Sequence, residues 1–129
     1  MHHGSCLCGL VTFNVSEDLD ETEACHCDQC RRWTGHFFAS VEVTRTSLSI
    51  QGEDYLSWYH SSPKVRRGFC VKCGSSLFFD PLDTVKHQWI GIALGAFDKP
   101  TNVTLRRHIF VSEKGDYYQI NDGLPQNEC

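Results

Sequence analysis

Short alternations of apolar and polar residues, separated by turn formers, run along most of the chain. In Val11-Thr12-Phe13-Asn14-Val15 the apolar side chains fall on one face of an extended segment. Phe37, Ala39, Val41 and Val43 repeat that spacing. Leu48-Ser49-Ile50 runs into a Gly52-Glu53-Asp54 turn, and Leu56, Trp58 and Tyr59 form another extended stretch before Ser61-Ser62-Pro63. Leu77-Phe78-Phe79 ends at Asp80-Pro81, and Trp89 to Leu94 is rich in β-branched and aromatic residues. His108 to Val111 and Tyr117 to Ile120 close the series. No longer segment keeps a helical period. The best helix is short, Asp28 to Thr34, with Gly35 as its stop. The pattern predicts a mainly β fold of short antiparallel strands, with the aromatic residues packed in the core.

A chain of 129 residues has the usual size of one domain, and a single domain over 1–129 is expected. With 40% hydrophobic residues it can build a real core. No apolar run approaches the roughly 20 residues that cross a membrane. The N-terminal Met1-His2-His3-Gly4-Ser5-Cys6 carries no secretion-like stretch, so a cytoplasmic, reducing location is expected. The formal charge of −4 argues against general nucleic-acid binding, which draws its strength from excess Lys and Arg. Seven thiolates and two zinc ions would carry that charge from −4 to −7.

Seven of the eight cysteines lie in three clusters. These are Cys6-Leu7-Cys8-Gly9, Cys25-His26-Cys27-Asp28-Gln29-Cys30 and Cys70-Val71-Lys72-Cys73-Gly74. A Cys-x-x-Cys-Gly turn lets two sulfurs converge on one ion, and the glycine supplies the backbone freedom that this knuckle needs. The tighter Cys6-x-Cys8-Gly9 ends the same way. Pairing the outer clusters gives Cys6, Cys8, Cys70 and Cys73 as a closed site of four thiolates. The middle cluster has three cysteines and no fourth, and three protein ligands with an open position is the pattern of a catalytic zinc. Cys30 falls at the start of the short helix, where the dipole favours a thiolate.

Other readings stay open at this point. A fourth ligand such as His26 or His36 would close the second site and make it structural. Disulfides are disfavoured by the strain of a Cys-x-Cys bridge. A redox Cys-x-x-Cys lacks its βαβ setting. Cys129 stands alone, as a free thiol in the tail. Arg31-Arg32, Arg66-Arg67 and Arg106-Arg107 form basic pairs that either hold a carboxylate ligand near the open zinc or simply face solvent and balance thiolate charge.

On these residues the chain resembles the glutathione-dependent formaldehyde-activating enzyme and centromere protein V family. The matching stretches are Gly4 to Gly9, Cys25 to Arg32, Thr34-Gly35, Phe69 to Ser75, Gly95 to Asp98, His108-Ile109 and Asp122 to Gln126. The resemblance implies a β-tent fold, similar to methionine sulfoxide reductase B, organised around zinc sites. It implies a structural zinc on Cys6, Cys8, Cys70 and Cys73 and a catalytic zinc on Cys25, Cys27 and Cys30, with Cys27 leaving the metal when a thiol binds. It implies a carbon–sulfur lyase that joins a small thiol such as glutathione to formaldehyde. Arg31, Arg32, Trp33 and His36 are the expected substrate contacts, with Phe37 beside Trp33 reading the carbonyl. The alternative is a non-catalytic thiol carrier or protein-binding module with a fully coordinated second zinc. A sulfoxide reductase would need a separate redox cysteine, and only Cys129 is spare.

Overall fold

A computed structural model describes residues 1–129. Two sheets carry the fold. Strands β1 (His2–Ser5), β2 (Thr12–Val15) and β5 (Leu48–Gln51) form a small sheet in the order β1-β2-β5. The large sheet contains β3 (Glu21–Cys25), β4 (Phe38–Thr44), β6 (Leu56–Ser62), β7 (Val65–Cys70), β8 (Ser76–Pro81), β9 (Trp89–Ala93) and β10 (His108–Ile109). Its order is β10-β3-β4-β9-β8-β7-β6. Every pairing is antiparallel except β10 with β3. The molecule is thus mainly β, a β-tent of short antiparallel strands, as the alternation predicts. No helix is long and apolar enough to cross a membrane.

Alternation decides which side of each strand meets the other sheet. Val41 and Val43 of β4, Ile90 and Ile92 of β9, and Phe78 of β8 face Phe13 and Val15 of β2 in one buried cluster. Phe13 meets Phe78 and Phe97 edge-on, with ring centroids 5.5 and 5.2 Å apart. Each such fully buried side chain contributes about 1.5–3 kcal/mol over the exposed state. The tyrosines depart from the expected core packing, because their hydroxyls prefer water: Tyr55, Tyr59 and Tyr117 are exposed.

The other side of the large sheet is open. Register places Cys25 opposite Phe38, Glu23 opposite Ser40, Glu42 opposite Gly91, Phe79 opposite Gly91 and Arg67 opposite Phe79. Paired residues share a face, so this row crosses one surface of the sheet. The chain leaves β3 through Cys25-His26-Cys27 into helix α1 (Asp28–Thr34). Gly35 ends it in the left-handed conformation, its N–H returning to the Arg31 carbonyl at 2.8 Å, where the sequence places the stop.

Some expected strands differ. His108 to Val111 shortens to His108–Ile109, because Phe110 takes a left-handed backbone and a 3-10 turn follows at Val111–Glu113. Tyr117 to Ile120 is not a strand, and its tyrosines pack on the histidines of the α1 region instead.

Candidate metal centres

The outer cysteine clusters meet at one end of the sheets. Cys6 and Cys8 lie in the β1–β2 connection, Cys70 ends β7, and Cys73 lies in the turn that leads to β8. Gly74 has φ 79°, and the turn closes by a Gly74 N–H bond to the Cys70 carbonyl at 2.8 Å. All four sulfurs lie within 4.8 Å of one another, with Cys6–Cys8 at 3.6 Å and Cys8–Cys70 at 3.8 Å. A tetrahedral zinc with Zn–S bonds of about 2.3 Å sets its sulfurs about 3.8 Å apart. The donor set therefore fits zinc, and all eight cysteines are free thiols rather than disulfides. Donors surround the sulfurs: the Val11 N–H reaches Cys6 at 3.4 Å, and the Ser75 hydroxyl lies 3.2 Å from Cys73. The Ser75 contact draws the Cys73 thiol down to about 5.

The middle cluster forms a second centre about α1. The sulfurs of Cys25, Cys27 and Cys30 lie within 4.8 Å of one another, and no His, Asp or Glu joins them. Cys27 is the helix N-cap and accepts the Cys30 N–H at 3.3 Å. Hydrogen bonds from Cys25 and then Cys30 draw the Cys27 thiol far below the ordinary thiol range, and Arg67 adds to this. The same contacts push Cys25 up. Cys27 is also the one of the three cysteines that is only half-buried.

Neither histidine proposed as a closing ligand faces the trio. His26 is fully buried, and its ring nitrogens are 2.6 Å from the Tyr118 hydroxyl and 2.8 Å from His108 Nδ1. His108 continues the chain to Asp122 at 2.8 Å. Burial, then the neighbouring His108, lowers the His26 pKa to about 4, so the ring is neutral at pH 7. His36 is hydrogen-bonded to the Tyr117 hydroxyl at 2.7 Å.

The trio opens onto a cleft of about 1060 Å³ along the open face of the large sheet. Phe38, Phe79 and Trp89 give it apolar walls, and Ser40, Glu42 and Arg67 give it polar groups. Of the expected substrate contacts, Arg31, Arg32, Trp33 and His36, none lines this cleft. Arg31 and Arg32 are both paired with Asp28, Arg32 in the open and Arg31 partly covered with its Nε buried and unpartnered, and His36 lies under Tyr117. Trp33 lines a smaller hollow that also touches Cys6 and Ser75. Position next to Cys30 in sequence does not aim a side chain into the cleft, because successive helical residues leave the axis in different directions.

The basic residue that does reach the trio is Arg67, from β7. It is 3% exposed. Its Nη1 donates to Cys30 Sγ at 3.3 Å, Nη2 to Gln29 Oε1 at 3.3 Å and Nε to Ser61 Oγ at 3.0 Å. The guanidinium lies over the rings of Trp33 and Phe79. The sequence shows Arg67 only as one of a basic pair; strand alternation, which turns Arg66 to Asp80 and Arg67 to Cys30, is the signal that separates the two.

A β-tent with one four-sulfur and one three-sulfur cluster, the second at the end of a cleft, defines a protein with two candidate metal centres of unequal closure. The family model described as glutathione-dependent formaldehyde-activating enzyme matches residues 1–113, and the chain belongs to that family. It is also 26% identical over 119 residues to an uncharacterised lyase of Schizosaccharomyces pombe, covering 92% of this chain and 85% of the relative.

Proposed function

We propose that the chain is a zinc-dependent carbon–sulfur lyase that joins a small thiol of the glutathione class to an aldehyde such as formaldehyde. The observation that carries this reading is a trio of thiols with no fourth protein ligand, placed at the end of a cleft large enough for a peptide thiol. Cys6, Cys8, Cys70 and Cys73 would hold a structural zinc, and Cys25, Cys27 and Cys30 a second one. When bound there, zinc supplies a site that keeps an incoming thiol deprotonated at neutral pH.

The chain's own residues do the rest. Cys27 is the half-buried member of the trio, whereas Cys30 is buried and bonded to Arg67, so Cys27 is the sulfur best placed to yield its position to another thiolate. Phe38, Phe79 and Trp89 give the neighbouring volume apolar walls against which a small aldehyde can pack. Glu42 faces the same cleft with its carboxyl raised to about 7, first by burial and then by Glu23 and Glu21. Its oxygens can therefore accept and return a proton near neutrality. The family membership supports the reaction class. A reducing, cytoplasmic setting suits a chain whose cysteines are all free.

The test is consumption of formaldehyde with glutathione, followed against the spontaneous reaction at the same pH. Turnover above background that disappears in Cys25→Ser, Cys27→Ser and Cys30→Ser is expected. No turnover above background removes the formaldehyde reading.

A further inference from the structure

Two features of Arg67 stand apart from what the fold needs. It is a nearly fully buried cation, and its partners are almost all neutral: Gln29, Ser61 and two aromatic faces. The acidic partner that normally accompanies a buried arginine is missing, since no carboxylate is paired with it. Its more exposed neighbour Arg66 does have an acidic partner, the buried Asp80 at 2.7 Å. The only anion-forming group in hydrogen-bond reach of Arg67 is Cys30 Sγ. A buried guanidinium is costly unless something negative balances it, so the trio is the counterion that makes this arginine tolerable.

The balance also works in reverse. Three thiolates on a divalent ion leave a net charge of −1, and an added thiolate makes it −2. In a partly desolvated site that second charge is opposed strongly. One fixed positive charge at the sulfur of Cys30 returns the assembly to −1. We propose that Arg67 is a positioning residue that holds Cys30 as the permanent ligand and supplies the charge that lets the second centre accept an anionic fourth ligand. The inference rests on the reading of the trio as an open metal site. Cys27 accepts no hydrogen bond from the guanidinium; its own comes from the backbone N–H of Cys30. On this proposal Cys30 is the sulfur that stays and Cys27 the sulfur that exchanges.

The experiment uses the full chain loaded with cobalt(II), whose thiolate charge-transfer and ligand-field bands report each donor set. The probe is β-mercaptoethanol, which carries no carboxylate, so a role for Arg67 in gripping a substrate's carboxylate does not affect the result. In the wild-type chain the bands of the second centre shift as the thiol is added. Arg67→Gln should weaken that response about 10–100-fold, the usual range for loss of a group bonded to a metal ligand. Arg67→Lys, which keeps the charge, should recover most of it. Gln29→Glu provides a variant with Arg67 intact: Gln29 is exposed, and the new carboxylate falls on Nη2 and offsets the same charge. It should weaken the response about tenfold even if Arg67→Gln does not fold. A wild-type response that is unchanged in Gln29→Glu, or a Lys variant as weak as the Gln variant, overturns the inference alone. A wild-type chain that takes up one cobalt, or whose second centre ignores the thiol, overturns the open-site reading and this inference with it.

Discussion

Cys70 is fully buried where β7 turns into β8, whereas Cys27 stands half-buried at the head of α1. The difference sets opposite expectations for the same substitution. A structural four-thiolate zinc is worth about 10–16 kcal/mol of apparent binding free energy, against about 5–15 kcal/mol for the whole stability of a domain. Cys70→Ser should therefore leave the chain largely unfolded, seen as loss of its β circular dichroism. Cys27→Ser should keep that signal and lose thiol binding and turnover. A folded Cys70→Ser with both metals retained contradicts the division. Glu42 gives a second test at this scale. Its carboxyl is raised from 4.5 to about 7 by burial and by Glu23 and Glu21, with Arg107 opposing. The folded chain thus holds a proton that the unfolded chain has already released. Stability is full below about 4.5 and falls as pH climbs toward 7. Glu42→Gln should raise the melting temperature by about 2–4 °C at pH 8 and leave it unchanged at pH 4. An equal shift at both pH values rules out the titration.

At the scale of elements, β10 is a two-residue strand, yet it holds the loop between Cys25 and Cys27 in place. The His26 N–H donates to the Ile109 carbonyl at 3.0 Å, and the His26 ring is fixed by His108 and Tyr118. His108→Ala leaves the buried His26 ring short of a partner, which costs about 1–3 kcal/mol. Thermal unfolding should show that loss together with weaker metal retention at the trio. Unchanged retention would mean that the loop holds its shape without the histidine chain. The elements also show what the sequence made visible. Alternation exposed β2 and β4, β-branched and aromatic richness exposed β9, and a bounded seven-residue span with a terminal glycine exposed α1. Strand β1 (His2–Ser5) escaped because it carries no apolar residue, and β3 and β7 escaped because polar residues such as Glu23 and Arg67 face the cleft, so no apolar rhythm marks them. The sulfur clusters were legible because ligand spacing is local. Arg67 was not, because its approach to Cys30 depends on pairing across β7, β8, β9 and β4.

Across the whole molecule, the four-sulfur cluster joins segments 62 residues apart in sequence, and the three-sulfur cluster spans only one turn of chain. Metal removal should therefore proceed in two phases. A mild chelator should strip the shorter-range second centre, which has only three protein ligands, while the fold persists. Release from the four-sulfur centre should coincide with unfolding, because there the metal closes the contact between distant segments. Simultaneous loss of both metals with the fold would show that the second centre is structural too. Family membership and the open sheet face fit the same division, with one end of the tent locked and the cleft end left accessible.

The claim beneath all of this is that the trio lacks a donor from its own chain. Zinc X-ray absorption on the full chain, before and after adding glutathione, counts sulfurs at the metal. The account predicts two zinc ions, one with four sulfurs and one with three sulfurs and a lighter atom, with the latter gaining sulfur when glutathione is present. A single zinc per chain, or a sulfur count that glutathione leaves unchanged, contradicts it.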